Sequence, residues 1–157
     1  MLKQNQNYGC GMYAVANALN LPGFATPERL EKSKNGNRNG QLSKWLQEDG
    51  NNFYIEVLYF DWNNKKLPET IFGYKATGEN VLFIPLLFEV KYTENGLQHM
   101  VAGKIDKDGK LYILDSLRPE IIETTLRGMN EIFECVFGMY HFAGVDCGEY
   151  VSISYPE

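Results

Sequence analysis

Cysteine and histidine are scarce in this sequence, which has three cysteines and two histidines among 157 residues. Three cysteines cannot all pair with one another, and no two of them form a Cys-x-x-Cys pair, so neither a disulfide framework nor a structural zinc site is expected. Positive charge is also in deficit, with a formal net charge of -5. Because nucleic-acid binding depends on clustered Lys and Arg, we expect no nucleic-acid partner.

Long apolar runs are missing as well. The longest, from Val81 to Phe88, is interrupted by Pro85, whereas a helix that spans a bilayer needs about 20 apolar residues. The N-terminal residues are polar and lack the apolar core of a secretion signal. We therefore expect a cytoplasmic protein with reduced thiols and no contact with a membrane.

The composition that remains is that of a globular protein, with 44% hydrophobic and 13% aromatic residues. The chain has the length of one compact domain and is too short for two ordinary ones. Residues 1–157 are therefore expected to form a single domain with one functional site.

The first third of the chain carries helical patterns. Three helices are predicted, the first buried and running from about Cys10 to Pro22-Gly23, the second capped by Thr26-Pro27-Glu28 and ending near Lys34, the third at Gln41 to Glu48. A weaker helical pattern covers Pro119 to about Asn130.

Aromatic and β-branched runs bounded by turn residues dominate the rest of the chain. Strands are predicted at Phe53 to Phe60, Val81 to Tyr92, Leu97 to Ile105, Lys110 to Leu117, Gly138 to Phe142 and Glu149 to Tyr155. Turn signals at Glu94-Asn95-Gly96 and Lys107-Asp108-Gly109 join three of these strands into an antiparallel meander. The fold class is therefore expected to be α+β, with N-terminal helices packed on a mostly antiparallel sheet.

Cys10 stands at the predicted start of the first helix, between Gly9 and Gly11. The positive end of a helix dipole and the unpaired N–H groups there favour a thiolate, and the two glycines leave room for a substrate backbone. Nucleophilic thiol catalysis also needs a base within hydrogen-bond reach and a group that orients the base. Cys10 is therefore a candidate nucleophile.

His99 and Asp115 are the candidates for base and orienting group. His99 lies in one predicted strand, and Asp115 ends the apolar strand that follows it. Adjacent antiparallel strands joined by a short turn bring such residues side by side, which is the geometry of a base and its orienter. Asn95 and Asp106 are alternative orienters, but both lie in turns whose spacing fits the meander less well.

Gln4 lies six residues before Cys10, and the segment from Gln4 to Gly11 resembles the nucleophile segment of papain-like cysteine peptidases. With His99 and Asp115, the layout is similar to that of the bacteriocin-leader-processing (double-glycine) peptidases. The resemblance implies a papain-like fold, a Cys-His-Asp triad, and an oxyanion hole formed by the Gln4 amide and the Cys10 N–H. The aspartate of that family is often followed by proline, whereas Ser116 follows here, and double-glycine specificity is not carried over because no transporter accompanies this sequence.

Alternatives remain for both the nucleophile and the activity. The segment around Cys147 resembles proteases that remove ubiquitin-like modifiers, but His141 replaces the expected glutamine and no helix is predicted after Cys147. Cys135, in an apolar stretch, is interpreted as a core residue, and His141, in an aromatic strand, as structural. The residues predict a cysteine hydrolase acting on a protein or peptide substrate without metal or cofactor. A deamidase or acyltransferase with the same triad, or an inactive papain-like binding or structural module, is the alternative.

Overall fold

The structure, a computed structural model, describes residues 9–34, 39–52, 54–61, 66–73, 81–87, 99–106, 108–117, 120–133, 136 and 138–143. The side chains at 39, 81–87, 99 and 143 lie outside this description. The helices are α1 (Cys10–Leu19), α2 (Pro27–Glu31), α3 (Asn39–Glu48), a 3₁₀ turn (Glu69–Ile71) and α4 (Met129–Ile132). The strands are β1 (Tyr54–Phe60), β2 (Val81–Leu87), β3 (His99–Met100), β4 (Ala102–Ile105), β5 (Leu111–Leu114), β6 (Ile122–Thr124) and β7 (Gly138–Ala143).

Helix α1 is buried along most of its length, where it packs on the sheet beside α3. Every residue from Gly11 to Ala18 is buried, which is typical of a helix in the core of a protein. The helix begins at Cys10, as predicted, and ends slightly earlier than predicted, at Leu19. Asn20 ends it in the left-handed conformation, with φ 54° and ψ 49°, which asparagine tolerates better than most residues.

Helices α2 and α3 are joined by the side chain of Arg29. Its guanidinium donates two hydrogen bonds to the Asp49 carboxylate, at 2.7 and 2.6 Å. It also donates to the backbone carbonyls of Phe24 and Trp45, at 3.1 and 3.4 Å, and lies over both aromatic rings. The Thr26 side chain accepts the Arg29 N–H and so caps α2, as the sequence predicts. One side chain therefore fixes the start of α2 against the end of α3.

The seven described strands form one sheet whose pairings are all antiparallel. Its order is β1-β7-β2-β4-β5-β6, and β3 also pairs with β2. Strands β2, β3 with β4, and β5 follow one another in the sheet as in the chain, so the predicted meander is confirmed for the described residues. Strands β1 and β7 add to its other side through contacts distant in sequence.

The strand that carries His99 is interrupted at Val101, between β3 and β4. One register joins β2 to both pieces, since Leu86 pairs with Met100 and Phe83 with Gly103. In that register Pro85 lies opposite Val101. Proline has no N–H to donate, so β2 makes one ladder hydrogen bond fewer at Pro85.

The two faces of the sheet carry separate apolar clusters. The helix-side cluster consists of Met12, Ala14, Val15, Ala16, Ala18, Phe24, Leu42, Trp45, Leu46, Ile55, Met100, Ala102, Leu114, Tyr140 and Phe142. The outer cluster consists of Leu58, Tyr59, Leu67, Ile71, Val101, Ile105, Leu111, Ile113, Leu126, Met129, Phe133, Val136 and Met139. Helices α1 and α3 thus pack on one face, and the expected α+β class is confirmed. None of the described helices is long and apolar enough to cross a membrane.

The helix predicted from Pro119 to Asn130 is wrong. Residues Ile122–Thr124 form β6, which pairs with β5, and helix appears only at Met129–Ile132. The segment contains two adjacent isoleucines and two adjacent threonines, whose β-branched side chains favour a strand when a partner strand is within reach. The strand predicted at Glu149 to Tyr155 and the turn at Glu94 to Gly96 lie outside the described residues.

Candidate active site

Cys10 is the first residue of α1, and Gly9 positions it there. Gly9 is buried and left-handed, with φ 84° and ψ 12°, a conformation that costs little only in glycine. The Gly9 carbonyl accepts the Tyr13 N–H at 3.2 Å. The first N–H groups of a helix, here those of Cys10 and Gly11, have no acceptor within the helix itself.

The thiol of Cys10 is half-buried and packs against the helix-side cluster. The first turn of α1 contains no acidic residue, so the helix itself adds no carboxylate at the positive end of its dipole. Partial access to the thiol is typical of reactive cysteines. The geometry is suited to a nucleophile.

Strand register brings the positions of His99 and Asp115 together. In the hairpin of β4 and β5, Ala102 pairs with Leu114, and continuing this pairing by one residue puts Asp115 opposite Val101. Position 99 is then the diagonal neighbour of position 115 on the adjacent strand, and the backbones at such positions lie about 7–8 Å apart. An imidazole and a carboxyl can bridge this separation.

Asp115 is completely buried, with 0% of its surface exposed. Its Oδ1 accepts the backbone N–H of Leu117 at 3.0 Å, which closes a turn directly after β5. A buried carboxyl is costly unless polar groups satisfy it. The side chain is thus held by the turn that ends its own strand.

The positions of the three candidate residues are related through helix α1 and the strands on which it packs. Helix α1 lies against β2, β3, β4 and β5. Met100 and Leu114, the chain neighbours of His99 and Asp115, belong to the cluster against which Cys10 packs. Along their strands, positions 99 and 115 alternate with Met100 and Leu114, so they do not belong to the face that carries the helix-side cluster. A contact of His99 or Asp115 with Cys10 therefore has to form at the ends of the strands.

The remaining sequence predictions at this site fall outside the described residues. They concern the His99 side chain, Gln4, Cys135, Cys147 and Asn95. We predict that the Cys10 sulfur lies within about 4 Å of a His99 ring nitrogen. An experimental structure checks this distance, and a separation beyond roughly 8 Å without a movable loop would exclude the triad.

Asp106 is not within reach of His99. Its carboxylate accepts the backbone N–H groups of Asp108 and Lys110 at 3.0 and 2.9 Å, and so organises the turn between β4 and β5. The strand between Asp106 and His99 is roughly 20 Å long. Asp115 is therefore the described carboxyl that the register brings to His99.

No protein-family model matches this sequence, and no curated protein matches it significantly. The resemblance to papain-like peptidases consequently depends on the motif around Cys10 and on the register of the meander. Among the described residues, no three His, Cys, Asp or Glu side chains are grouped as metal ligands would be.

The structure also contains a contact between a histidine and a carboxylate, His141 and Glu56, that was not predicted from the sequence. His141 is 1% exposed, and its Nε2 lies 2.8 Å from Oε1 of Glu56 on the neighbouring strand β1. His99 pairs with Leu87 and His141 with Phe83, so the two histidines are separated by β2 and offset along it. The only sequence feature that points to this contact is Glu56, an acidic residue within the aromatic and β-branched run of β1.

Proposed function

We propose that this protein is a papain-like cysteine hydrolase that cleaves a peptide or amide bond. The observation that carries the proposal is the start of α1, where Cys10 is the first residue of a buried helix behind a left-handed glycine. This arrangement holds a thiol against the positive end of a helix beside N–H groups that can bind an oxyanion. The register of β4 and β5, which brings the positions of His99 and Asp115 together, supports it further.

The proposed reaction has two halves. The Cys10 thiolate attacks the carbonyl carbon, and the Cys10 N–H and the Gln4 amide stabilise the resulting oxyanion. The C–N bond then breaks, His99 transfers its proton to the leaving amine, and a thioester remains on Cys10. His99 next takes a proton from water, whose oxygen attacks the thioester; the C–S bond breaks, the acid is released, and the Cys10 thiolate and protonated His99 are restored. Asp115 holds His99 in the required orientation throughout.

A thiol-reactive probe tests the nucleophile directly. At neutral pH an iodoacetamide probe should label the protein rapidly, and Cys10→Ala should abolish the rapid labelling. Cys135→Ser and Cys147→Ser are matched controls, and both should retain labelling and activity. If Cys147→Ser removes both in a folded protein while Cys10→Ala does not, the permuted site around Cys147 takes the place of this proposal.

Product analysis then identifies the reaction. A peptide library incubated with the enzyme should yield pairs of shorter fragments, as detected by mass spectrometry. Conversion of a side-chain amide to an acid would instead indicate a deamidase, and a product joined to an added amine an acyltransferase, since both share the thioester step. A folded protein with no rapid labelling and no product would be an inactive module. The proposal includes a cytoplasmic location, where thiols are kept reduced.

A further inference from the structure

Hydrophobic alternation does not by itself determine how strands β1 and β7 pair. Glu56 is the acidic residue of β1 and His141 the basic residue of β7, and the other side chains of both strands are apolar or aromatic. A slip by one residue moves each side chain to the opposite face, and this is costly where one face is polar. Here both faces are apolar, since Ile55 belongs to the helix-side cluster and Leu58 to the outer cluster.

Two registers are present within this one pairing. The first part of β1, residues 54–57, has one register on β7, and the last part, residues 59–60, has a register shifted by one residue. Leu58 between them is the extra residue of a β-bulge. If the second register continued to the start of the strand, the bulge would disappear and Val57 would lie opposite His141.

The contact between Glu56 and His141 distinguishes these two arrangements. The two residues lie directly opposite each other, and Nε2 of His141 lies 2.8 Å from Oε1 of Glu56. Because His141 is only 1% exposed, taking the acceptor away from its ring nitrogen would be costly. In the shifted register Glu56 would lie opposite Phe142, on the helix-side face, where burying its carboxylate among apolar side chains is also costly.

We propose that the hydrogen bond between His141 and Glu56 fixes the register of β1 and places the bulge at Leu58. A buried polar pair can specify register, because other registers leave its groups without partners. The inference does not depend on the proposed function. It bears on helix α3, because the Ile55 N–H donates to Oγ of Ser43 in α3 at 2.9 Å. Since successive N–H groups of a strand point to opposite sides, the shifted register would turn this N–H toward β7 and break its bond to α3.

The double variant Glu56→Leu/His141→Phe tests the inference, because it removes both polar groups and keeps the strands apolar. NMR contacts between backbone protons of facing residues report the register without any need for activity. In the wild type, residue 56 should face residue 141. In the double variant we expect a second set of signals, in which residue 57 faces residue 141. Losing a hydrogen bond to a charged group should raise the ratio of shifted to wild-type register by about 10- to 150-fold. A double variant that keeps the wild-type register alone would overturn the inference.

Two further variants are matched controls. Glu56→Gln has a side chain of the same length and keeps an acceptor oxygen for His141, so it should retain the wild-type register alone. Ser43→Ala removes the bond from β1 to α3 and should retain that register as well. A shift in the first control would assign the register to the charge of Glu56, and a shift in the second to Ser43, and either would overturn the inference. If the double variant does not fold, Glu56→Val in the otherwise wild-type chain provides the same comparison with the same two outcomes.

Discussion

Replacing Gly9 by alanine tests the physical basis of the nucleophile's position. Gly9 has φ 84° and ψ 12°, is buried, and directly precedes Cys10. For a residue with an L side chain this conformation costs about 1–2 kcal/mol, because its Cβ approaches the following carbonyl oxygen. For a chain of this size each kcal/mol lowers the melting temperature by about 2–4 °C. Gly9→Ala should therefore lose roughly 2–8 °C.

The matched control is D-alanine at position 9, which adds the same methyl group but prefers positive φ. Because Cys10 follows Gly9, this variant can be assembled by joining a peptide thioester that ends at residue 9 to a fragment that begins with Cys10. We expect the D-alanine protein to unfold near the wild-type temperature and to label at Cys10 normally. Calorimetry and probe labelling make the comparison.

Two results would contradict this reasoning. If L-alanine leaves the melting temperature unchanged, the left-handed conformation at Gly9 is not required. If both alanines destabilise the protein equally, the cost comes from the volume of the methyl group and not from the backbone angle.

Further predictions concern the Arg29 contact and the oxyanion site. Arg29→Ala should lower the free energy of unfolding by about 2 kcal/mol, since it removes two hydrogen bonds to Asp49 and two to backbone carbonyls. Equal midpoints of urea unfolding for the variant and the wild type would contradict this. Hydrogen bonding from Arg29 holds the pKa of Asp49 below its ordinary value of 3.8. The contribution of Asp49 to stability should thus be fully present above pH 3.8 and should be lost as the pH falls through the lower pKa of the folded state. In urea unfolding at a series of pH values, the free energy of unfolding of Asp49→Asn should therefore fall less with acid than that of the wild type. Gln4→Ala should slow turnover by about 10²- to 10³-fold without changing the melting temperature, with Gln6→Ala as the control; equal turnover of Gln4→Ala and wild type would remove Gln4 from the mechanism.

Local features of this protein could be predicted from its sequence. The start of α1 at Cys10, the Thr26 cap of α2 and the turn between β4 and β5 each depend on a few consecutive residues whose conformational preferences agree. The register of β4 and β5, from which we expect the positions of His99 and Asp115 to lie close together, follows from the same logic, because a short hairpin fixes the register of the two strands it joins.

Features that depend on distant partners could not be predicted. Residues 122–124 pair with β5 as an edge strand, and this pairing outweighs a weak helical preference. Glu56 meets His141 only because β1 pairs with β7, and nothing near either residue in the chain specifies the other. The hydrogen bond from the Leu117 N–H to Asp115 was predictable only in part. The turn depends on neighbouring residues, whereas the burial of Asp115 depends on residues distant in the chain.

The sequence by itself therefore determined where the candidate nucleophile begins its helix and which two strand ends lie beside each other, because both depend on local backbone preferences. Only the tertiary structure decided the order of the sheet, the burial of Asp115 and the face on which α1 packs. Those features arise when apolar surfaces from distant parts of the chain are removed from water together, and this depends on how the surfaces fit and not on any single segment.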